Sequence, residues 1–460
     1  MSHPRERSHD SLAGQPAARA GRFRRWLACA AVLAVAARLA FAFGYWTGKP
    51  LTQDEREYLL IGRNLADGKG FVSGPDPAAP PGHRPFSRAP AYPFFLAAVF
   101  FAADRIGSGD AAEQGGDGWP GGARGPVTVP GPVKAAQSLV GVVGVVLLAL
   151  VARRAADAAA GVIAAFGASV YPPLVWLPAY AFSETLFVAL ALGAILLLTR
   201  VLDEGQDRPL WIVFAAGLVA GAAMLTRSAM LVFLGLAALW LVRRRQLAAA
   251  VVLAGGALAV VAPWTARNFA VHDRLVLVAA DGGVNFWIGN HPLATGEGDM
   301  AANPAIKHAY REFEARYPGL SAEQLESRFA REALAEIAED PGRWAVLLVK
   351  KVFYTLVPVG PSYRLHSTRY FLVSLASYLL VLPLAVAGLV RVRRPGWPTV
   401  TLVLYAVSGV LVSLVFFPQE RYRVPVIDQA LIVWASAWIA VTARASARLA
   451  PESATGEAGQ

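Results

Sequence analysis

The chain has 460 residues, of which 55% are hydrophobic and only 16% are charged. A soluble domain normally carries about a quarter charged residues, so the composition excludes an ordinary soluble enzyme. The segments 158–183, 246–266, 370–390 and 395–419 contain no Asp, Glu, Lys or Arg. Each reaches the roughly 20 residues that a helix needs to cross a bilayer. The single cysteine, Cys29, excludes an intrachain disulfide.

The net charge of +11 is concentrated at the ends of the apolar segments. Basic clusters lie within residues 1–25 and around Arg153, Arg243, Arg391 and Arg444. Cytoplasmic loops of membrane proteins carry such an excess of Lys and Arg. The charge therefore indicates membrane topology, and we expect no nucleic-acid partner.

About ten segments are predicted to be membrane-spanning helices. They are 26–46, 133–152, 158–178, 184–202, 209–226, 227–243, 246–264, 368–390, 397–417 and 424–443. With the basic clusters in the cytoplasm, the loops 46–132, 265–367 and 418–423 face the outside. Two further apolar stretches, 89–103 and 344–363, are interrupted by prolines or lysines, and we predict re-entrant or interfacial elements there.

The sequence predicts one membrane domain over residues 26–443. A basic cytoplasmic tail at 1–25 precedes it, and a disordered cytoplasmic tail at 444–460 follows it. Within the first outer loop, residues 107–132 are mostly Gly, Pro, Ala and acidic residues. That composition cannot bury a core, so we predict a flexible insertion. In the second outer loop, a capping-box pattern at Ser321 predicts an amphipathic helix.

Acidic side chains at the outer ends of two predicted spans are the first candidates for chemistry. Asp54 and Glu55 follow the first helix, and Thr52 with Glu55 has the spacing of a capping box. One interpretation is that the two acids only stabilise the start of a short helix. The other is that Asp54 is a general base at the membrane boundary. Glu184 is either a first-turn acid after Ser183 or a functional intramembrane carboxylate.

Arginines recur in the loops that are predicted to face outward. The candidates for binding a phosphate are Arg84, Arg88, Arg227 and Arg421. One interpretation is that they anchor the chain to lipid headgroups. The other is that they converge on a phosphate that a lipid carries, because a guanidinium fork matches phosphate better than an ammonium does.

The outer loops also contain polar and aromatic residues that are candidates for contacting a substrate. They are Tyr92, Arg267, Asn268, Asn285, Trp287 and Asn290. Trp287 offers an aromatic face to a sugar ring or to the membrane interface. His272 and His291 lie near acidic residues, which is compatible with a divalent cation. Their spacing is not that of known metal ligands, so the sequence does not settle whether a metal binds.

In their order along the chain, these motifs resemble one family. They are the Asp54-Glu55 pair, GRNLADGKGF at 62–71, RAPAYPFFLA at 88–97, FSETLF, GLVAGAAMLTR, APWTARNF, GGVNFWIGN and RYRVP. From about residue 23 to 443, the chain resembles the GT-C fold polytopic membrane glycosyltransferases that use lipid-phosphate sugars. Within that group, it is most similar in pattern to protein O-mannosyltransferase-like and aminoarabinose-transferase-like bacterial proteins.

This resemblance implies an all-α integral membrane protein, with a GT-C type bundle of about 10–12 transmembrane helices. Two outer-face loops would bear short juxtamembrane helices, and the active site would lie on the outer face. By resemblance, Asp54 takes the role of the catalytic carboxylate and Glu184 corresponds to the second acidic position. The metal requirement differs between branches of the family. The insertion at 107–132 departs from the usual short connection.

The predicted function is transfer of a sugar from a polyprenyl-phosphate donor to a hydroxyl on a lipid, glycan or protein acceptor. The anomeric centre would invert, in a multi-pass protein of the plasma membrane. Phosphate is a good leaving group, so one base suffices, whereas glycosidases need two carboxylates. The alternatives are a transporter or flippase and a ligase of surface polysaccharide, each handling a lipid-linked anionic substrate. The sequence identifies neither the sugar nor the acceptor.

Overall fold

A computed structural model describes residues 10–73, 88–107, 127–201, 209–298, 300–360, 367–391 and 396–449. All regular elements in these ranges are helices. In chain order they are α1 (Asp10–Leu39), α2 (Gln53–Ala66), α3 (Ala91–Arg105), α4 (Gly131–Ala155), α5 (Ala158–Val170), α6 (Pro172–Trp176), α7 (Glu184–Val201), α8 (Leu210–Thr226), α9 (Met230–Arg243), α10 (Leu247–His272), α11 (Gly282–Asn290), α12 (Pro304–Arg316), α13 (Ala322–Glu339), α14 (Pro341–Leu356), α15 (Thr368–Arg391), α16 (Trp397–Val415), α17 (Glu420–Arg423) and α18 (Gln429–Leu449).

Every segment that was predicted to span the membrane forms a helix or a bent pair of helices. Within the described residues, six helices are long and apolar enough to cross a bilayer, and seven if α5 and the segment after it count as one span. That pair bends by 61°. The bend follows from Pro172 and Pro173, which cannot donate the backbone hydrogen bonds that would continue α5. The shorter apolar helices α8 and α9 pack beside the longer ones.

The tails and the insertion extend partly beyond the described residues. Helix α1 begins at Asp10, and α18 continues through Leu449. The predicted basic tail at 1–25 and the predicted disordered tail at 444–460 therefore each overlap a helix end. Residues 108–126 of the predicted flexible insertion lie outside the described residues.

Small residues let α8 and α10 approach each other closely in the core of the bundle. A Cβ on Gly217 would lie 2.3 Å from the carbonyl oxygen of Leu253, and one on Gly256 would lie 2.4 Å from that of Phe214. Such close approach is the usual way in which apolar helices gain packing contacts inside a membrane.

Short helices outside the bundle form two small packed layers. Helices α2 and α3 pack together through Tyr58, Leu59, Tyr92 and Leu96. Helices α11, α12 and α13 share a core that includes Phe329 and Phe313, whose rings stack at 4.0 Å. The capping box predicted at Ser321 is present, and the apolar face that follows it packs on α11 and α12.

The two ends of the bundle differ in charge. At one end, Arg444 pairs with Asp157 at 2.5 Å and Arg154 donates to the carbonyl of Thr199. These arginines belong to the basic clusters that were predicted to be cytoplasmic. Helix α1 runs from this end to the other, where Lys134 at the start of α4 donates to the carbonyl of Trp46. The acidic and basic candidates for the site lie at this second end.

The contact between α8 and α10 yields a test of the packing. We expect Gly256→Ala to lower the melting temperature of the detergent-solubilised protein, because the new methyl group overlaps the backbone of α8 and overpacking costs about 1–3 kcal/mol. The neighbouring Gly255→Ala adds a Cβ where no atom lies within 4 Å, so it should leave the melting temperature unchanged or raise it. Equal effects of the two substitutions would contradict this packing.

Candidate active site

The start of α2 is fixed by the capping box that the sequence predicts. The backbone N–H of Thr52 donates to Oε2 of Glu55 at 2.8 Å, and the Thr52 hydroxyl accepts from the N–H of Glu55 at 3.4 Å. The second oxygen of Glu55 accepts from the backbone N–H of Ala181 at 3.0 Å. Burial raises the pKa of Glu55, against the hydrogen bonds from Thr52 and Ala181. Both Glu55 oxygens therefore serve the local structure, and Asp54 beside it points elsewhere.

Asp54 is held between two arginines from distant parts of the chain. Its Oδ1 accepts from Arg88 at 2.7 Å, and its Oδ2 accepts from Arg421 at 2.8 Å. Burial alone would raise the pKa of this carboxyl group. The charges of Arg421 and Arg88 and their hydrogen bonds outweigh burial, and they hold the pKa well below its usual range. Asp54 is therefore ionised, and both of its oxygens are paired.

Two further acids complete the ion-pair network. Glu184, at the first position of α7, is buried and accepts from Arg227 at 2.6 Å. It also lies 3.5 Å from Nε of Arg421. Glu57, one turn after Asp54, binds Arg88 at 2.6 Å. The network thus joins three arginines to carboxylates on α2 and α7.

An open cavity of about 1230 Å³, including space continuous with solvent, lies against this network. Arg88, Arg227 and Arg421 all line it, with Tyr58 and Asn285 among the other lining residues. Three guanidinium groups thus border the cavity, and each is paired with a carboxylate of the network. An anion with several oxygens, such as a phosphate, matches this wall through charge-assisted hydrogen bonds.

Arg421 is positioned by the buried ion pair between Arg423 and Asp428, which follow it in the chain. Nε of Arg423 donates to Oδ1 of Asp428 at 3.0 Å, and the hydroxyl of Tyr171 donates to Oδ2 at 2.8 Å. The guanidinium of Arg423 also covers the ring of Tyr378 at 4.2 Å. Residues 424–428 form a π-helical turn, a distortion that is frequent at functional sites. This anchoring directs Arg421 towards Asp54 and the cavity.

Asp281 is a cavity residue that our sequence analysis did not select. It precedes α11, lines the cavity and is hydrogen-bonded to Asn285. Burial raises its pKa, although the charges of Arg88 and Arg227 oppose the shift. The available signal was an acid directly before the GGVNFWIGN motif, in a loop that was predicted to face outward.

Several predicted substrate-loop residues stabilise the structure around the cavity. Asn268 donates to the carbonyls of Val276 and Val278, at 3.0 and 3.2 Å. Arg267 donates to the side chain of Asn268 at 3.1 Å and covers the ring of Trp264. These contacts fix the loop that carries the chain from α10 towards Asp281.

Trp287 and Asn290 lie behind the cavity wall. Trp287 is fully buried against Phe313, so its ring is not presented to a sugar or to the membrane interface. Asn290 is also buried and joins three helices. Its side chain accepts from Trp344 and Lys351 of α14, both at 3.0 Å, and donates to the carbonyl of Val415 in α16.

Tyr92, Arg84 and a metal site are the remaining candidates from the sequence. Tyr92 is buried and donates to Gln137 at 3.0 Å, so it supports the layer beneath Arg88. Arg84 lies outside the described residues. No group of three potential metal ligands occurs among the described residues. Because arginines already bind both Asp54 and Glu184, this pair of acids does not fit a divalent cation.

The wall that carries Asp281 is tied to α13 by Glu326. Its carboxylate accepts from the backbone N–H groups of Gly283 and Val284, at 2.7 and 3.1 Å. Burial raises the pKa of Glu326 to about 7, with the charge of Asp281 adding to the shift and the two hydrogen bonds opposing it.

This raised pKa predicts a pH dependence of stability. A group with a raised folded-state pKa stabilises the protein most at low pH, and that contribution is lost as pH rises through the folded value. We therefore expect the melting temperature to fall between about pH 4.5 and pH 7, and to level off above that range. The decrease should be smaller in Glu326→Gln, which no longer titrates, than in the exposed control Glu339→Gln on the same helix. Equal decreases in the two variants would contradict this assignment.

Part of the chain matches a known family in sequence. Residues 131–266, from α4 to most of α10, match the family described as dolichyl-phosphate-mannose-protein mannosyltransferase. No curated protein is significantly similar to the chain in sequence.

Solved structures share the fold over nearly the whole chain. The oligosaccharyltransferase AglB from Archaeoglobus fulgidus, in complex with an inhibitory peptide and a dolichol-phosphate, has a TM-score of 0.53 and 13% identity. The likeness covers 94% of this chain and 52% of that chain, so this chain spans about half the length of AglB. The apo form of the Archaeoglobus enzyme has a TM-score of 0.54 and 14% identity, over 93% of this chain and 52% of that chain.

A weaker likeness is to ArnT from Cupriavidus metallidurans bound to undecaprenyl phosphate. Its TM-score is 0.39 at 15% identity, and it covers 92% of this chain and 81% of that chain. The long apolar helices and the likeness to AglB confirm the predicted fold. The chain is an all-α, multi-pass membrane protein with the fold of the GT-C glycosyltransferases.

Proposed function

We propose that the protein is an inverting glycosyltransferase that moves a sugar from a polyprenyl-phosphate donor to a hydroxyl acceptor. The observation that carries this proposal is the cavity wall formed by Arg88, Arg227 and Arg421 beside Asp54. The match to a mannosyltransferase family and the dolichol-phosphate in the AglB structure support a lipid phosphate as the donor group.

The arginines would stabilise the phosphate most strongly as it leaves. A polyprenyl-phosphate sugar is a phosphodiester with one negative charge, and breaking its bond to the sugar leaves a monoester that carries a second charge. Interactions that strengthen as charge develops lower the barrier, whereas equal binding of substrate and transition state does not. Each charge-assisted hydrogen bond is worth roughly 1.5–3 kcal/mol.

Asp54 is the proposed general base, and its pairing suggests how donor binding activates it. A carboxylate whose pKa is held low by two guanidinium groups is a weak base. A bound phosphate competes with Asp54 for Arg88 and Arg421, so its arrival releases a carboxylate oxygen and raises its basicity. Glu184 would keep Arg227 and Arg421 in place throughout.

The transfer step balances with one base. Asp54 takes the proton of the acceptor hydroxyl while that oxygen bonds to the anomeric carbon from the side opposite the phosphate. The bond between the anomeric carbon and the phosphate oxygen breaks, and its electron pair remains on the phosphate. Attack from the opposite side inverts the configuration of the anomeric carbon.

The charge distribution supports an extracytoplasmic site. The site lies at the end of the bundle opposite the cluster that includes Arg154 and Arg444. Because such basic clusters stay in the cytoplasm, we infer that the cavity opens on the outer face of the plasma membrane.

Asp54→Asn separates binding from transfer. In membranes supplied with radiolabelled polyprenyl-phosphate sugars, we expect at least about a hundredfold loss of transfer, as is usual when a general base is removed. Binding of sugar-free polyprenyl phosphate should persist or tighten, because Arg88 and Arg421 lose an anionic competitor. A matched control is Asp67→Asn at the other end of α2, where the acid pairs with Arg63 and Lys69.

Two results would contradict the proposal. Full transfer by Asp54→Asn would limit Asp54 to a structural role at the start of α2. Label that remains on the lipid for every sugar, with folded wild-type protein, would favour a transporter or a polysaccharide ligase.

A further inference from the structure

Asp281 stands out among the residues that line the cavity. Within the part of the chain that the structure describes, it is the one carboxylate in the lining, which also includes the three arginines. Asp54 and Glu184 bind the arginines and are not among the lining residues, whereas Asp281 is part of the cavity surface. A ligand in the cavity would therefore meet this carboxylate directly.

The local structure leaves Asp281 without a capping role. Asp281 occupies the N-cap position of α11, where an aspartate side chain usually accepts from a backbone N–H of the first turn. No such bond is made by Asp281. Glu326 of α13 binds the N–H groups of Gly283 and Val284 instead. The side chain that would ordinarily cap this helix thus faces the cavity, and its hydrogen-bond partners are its own backbone N–H and the amide of Asn285.

Asp281 and Asn285 together offer a suitable set of groups for sugar hydroxyls. A carboxyl group offers two oxygens to hydrogen-bond donors, and an amide both accepts and donates. Both side chains line the cavity, and they lie one helical turn apart on α11. Adjacent hydroxyls of a pyranose ring present alternating donors and acceptors that this pair can satisfy.

The position relative to the arginines indicates which part of a donor would reach Asp281. The charges of Arg88 and Arg227 act on the Asp281 carboxyl group, so all three groups lie around the same part of the cavity. In a polyprenyl-phosphate sugar, the ring is bonded directly to the phosphate. A phosphate on the arginines therefore brings the sugar, before any other group, next to Asp281.

We propose that Asp281, supported by Asn285, binds the hydroxyl groups of the donor sugar and is a specificity-determining residue of the cavity. This inference rests on the proposed function. The sugar class that it implies is a neutral, polyhydroxylated sugar. An ammonium-bearing sugar is disfavoured, because Arg88 and Arg227, which share this part of the cavity with Asp281, would repel a second cation there.

Binding of two lipids tests the assignment without relying on transfer. The probes are sugar-free polyprenyl phosphate and polyprenyl phosphate bearing glucose, mannose or an amino sugar, with the purified full-length protein in nanodiscs. Wild type should bind one of the neutral-sugar lipids more tightly than the sugar-free lipid. Asp281→Asn should weaken that binding by about tenfold or more, the effect of losing hydrogen bonds to a charged group. Binding of sugar-free polyprenyl phosphate should persist or tighten, because Arg88 and Arg227 lose an anionic neighbour.

The control is Asp273→Asn, eight residues earlier. Asp273 is exposed and adopts a left-handed conformation, with φ of 51°, that asparagine tolerates. Its affinities should equal those of wild type. Asn285→Ala should reproduce the effect of Asp281→Asn more weakly, because it removes the partner and leaves the carboxylate.

The possible outcomes are distinguishable. An equal loss of affinity for both lipids in Asp281→Asn would overturn the proposal, since Asp281 would then act through the phosphate site. Tightest wild-type binding of the amino-sugar lipid would overturn the inference of a neutral sugar. If wild type binds none of the lipids, the proposed function itself fails, whatever Asp281 does.

Discussion

The site depends on one electrostatic constraint, which is that a charge withdrawn from water must be paired. A buried ion that lacks a partner costs several kcal/mol, so arginines at a membrane boundary need acids, and the acids need arginines. Arg88, Arg227 and Arg421 are held by Asp54, Glu57 and Glu184. The same pairing orients the guanidinium groups along one cavity wall. In the proposed mechanism, an incoming phosphate replaces a carboxylate as partner, so the guanidinium groups stay paired when the donor binds.

The fold assembles this network from distant parts of the chain. Asp54 and Arg421 are 367 positions apart and meet because α2 and α17 begin at the same end of the bundle. Arg227 ends α8, where a cation is also favoured by the helix dipole, and Glu184 begins α7 beside it. The buried pair of Arg423 and Asp428 fixes the turn that carries Arg421. Helix ends and the turns beside them thus hold the charged groups of the network.

Much of this architecture could be predicted from the sequence, because the signals are local. Uncharged segments of membrane-spanning length became helices, and the capping boxes at Thr52 and Ser321 formed as their spacing indicates. The basic clusters indicate which end of the bundle is cytoplasmic. From this orientation we predict that the arginines of the outer loops lie together at the other end. Arg88, Arg227 and Arg421 do share it, on one cavity wall.

What the sequence could not provide are contacts that depend on tertiary packing. The polar sequence around Trp287 predicts an exposed aromatic side chain, whereas α12 and α13 cover it completely. Asn290 looks like a substrate contact, but it joins α11 to α14 and α16. Asp281 was not selected because a sequence pattern predicts it to cap α11, whereas Glu326 binds the first turn of that helix from 43 positions away. Nothing in the local pattern around any of these residues reveals its distant partner.

The most direct test of this account is a structure of the protein bound to a polyprenyl-phosphate sugar. The account predicts phosphate oxygens within about 3 Å of the guanidinium groups of Arg88 and Arg421, the usual length of such hydrogen bonds. It also predicts that Asp54 has lost at least one of its two arginine contacts and faces the anomeric carbon. A phosphate bound away from these arginines, with both contacts of Asp54 intact, would contradict it.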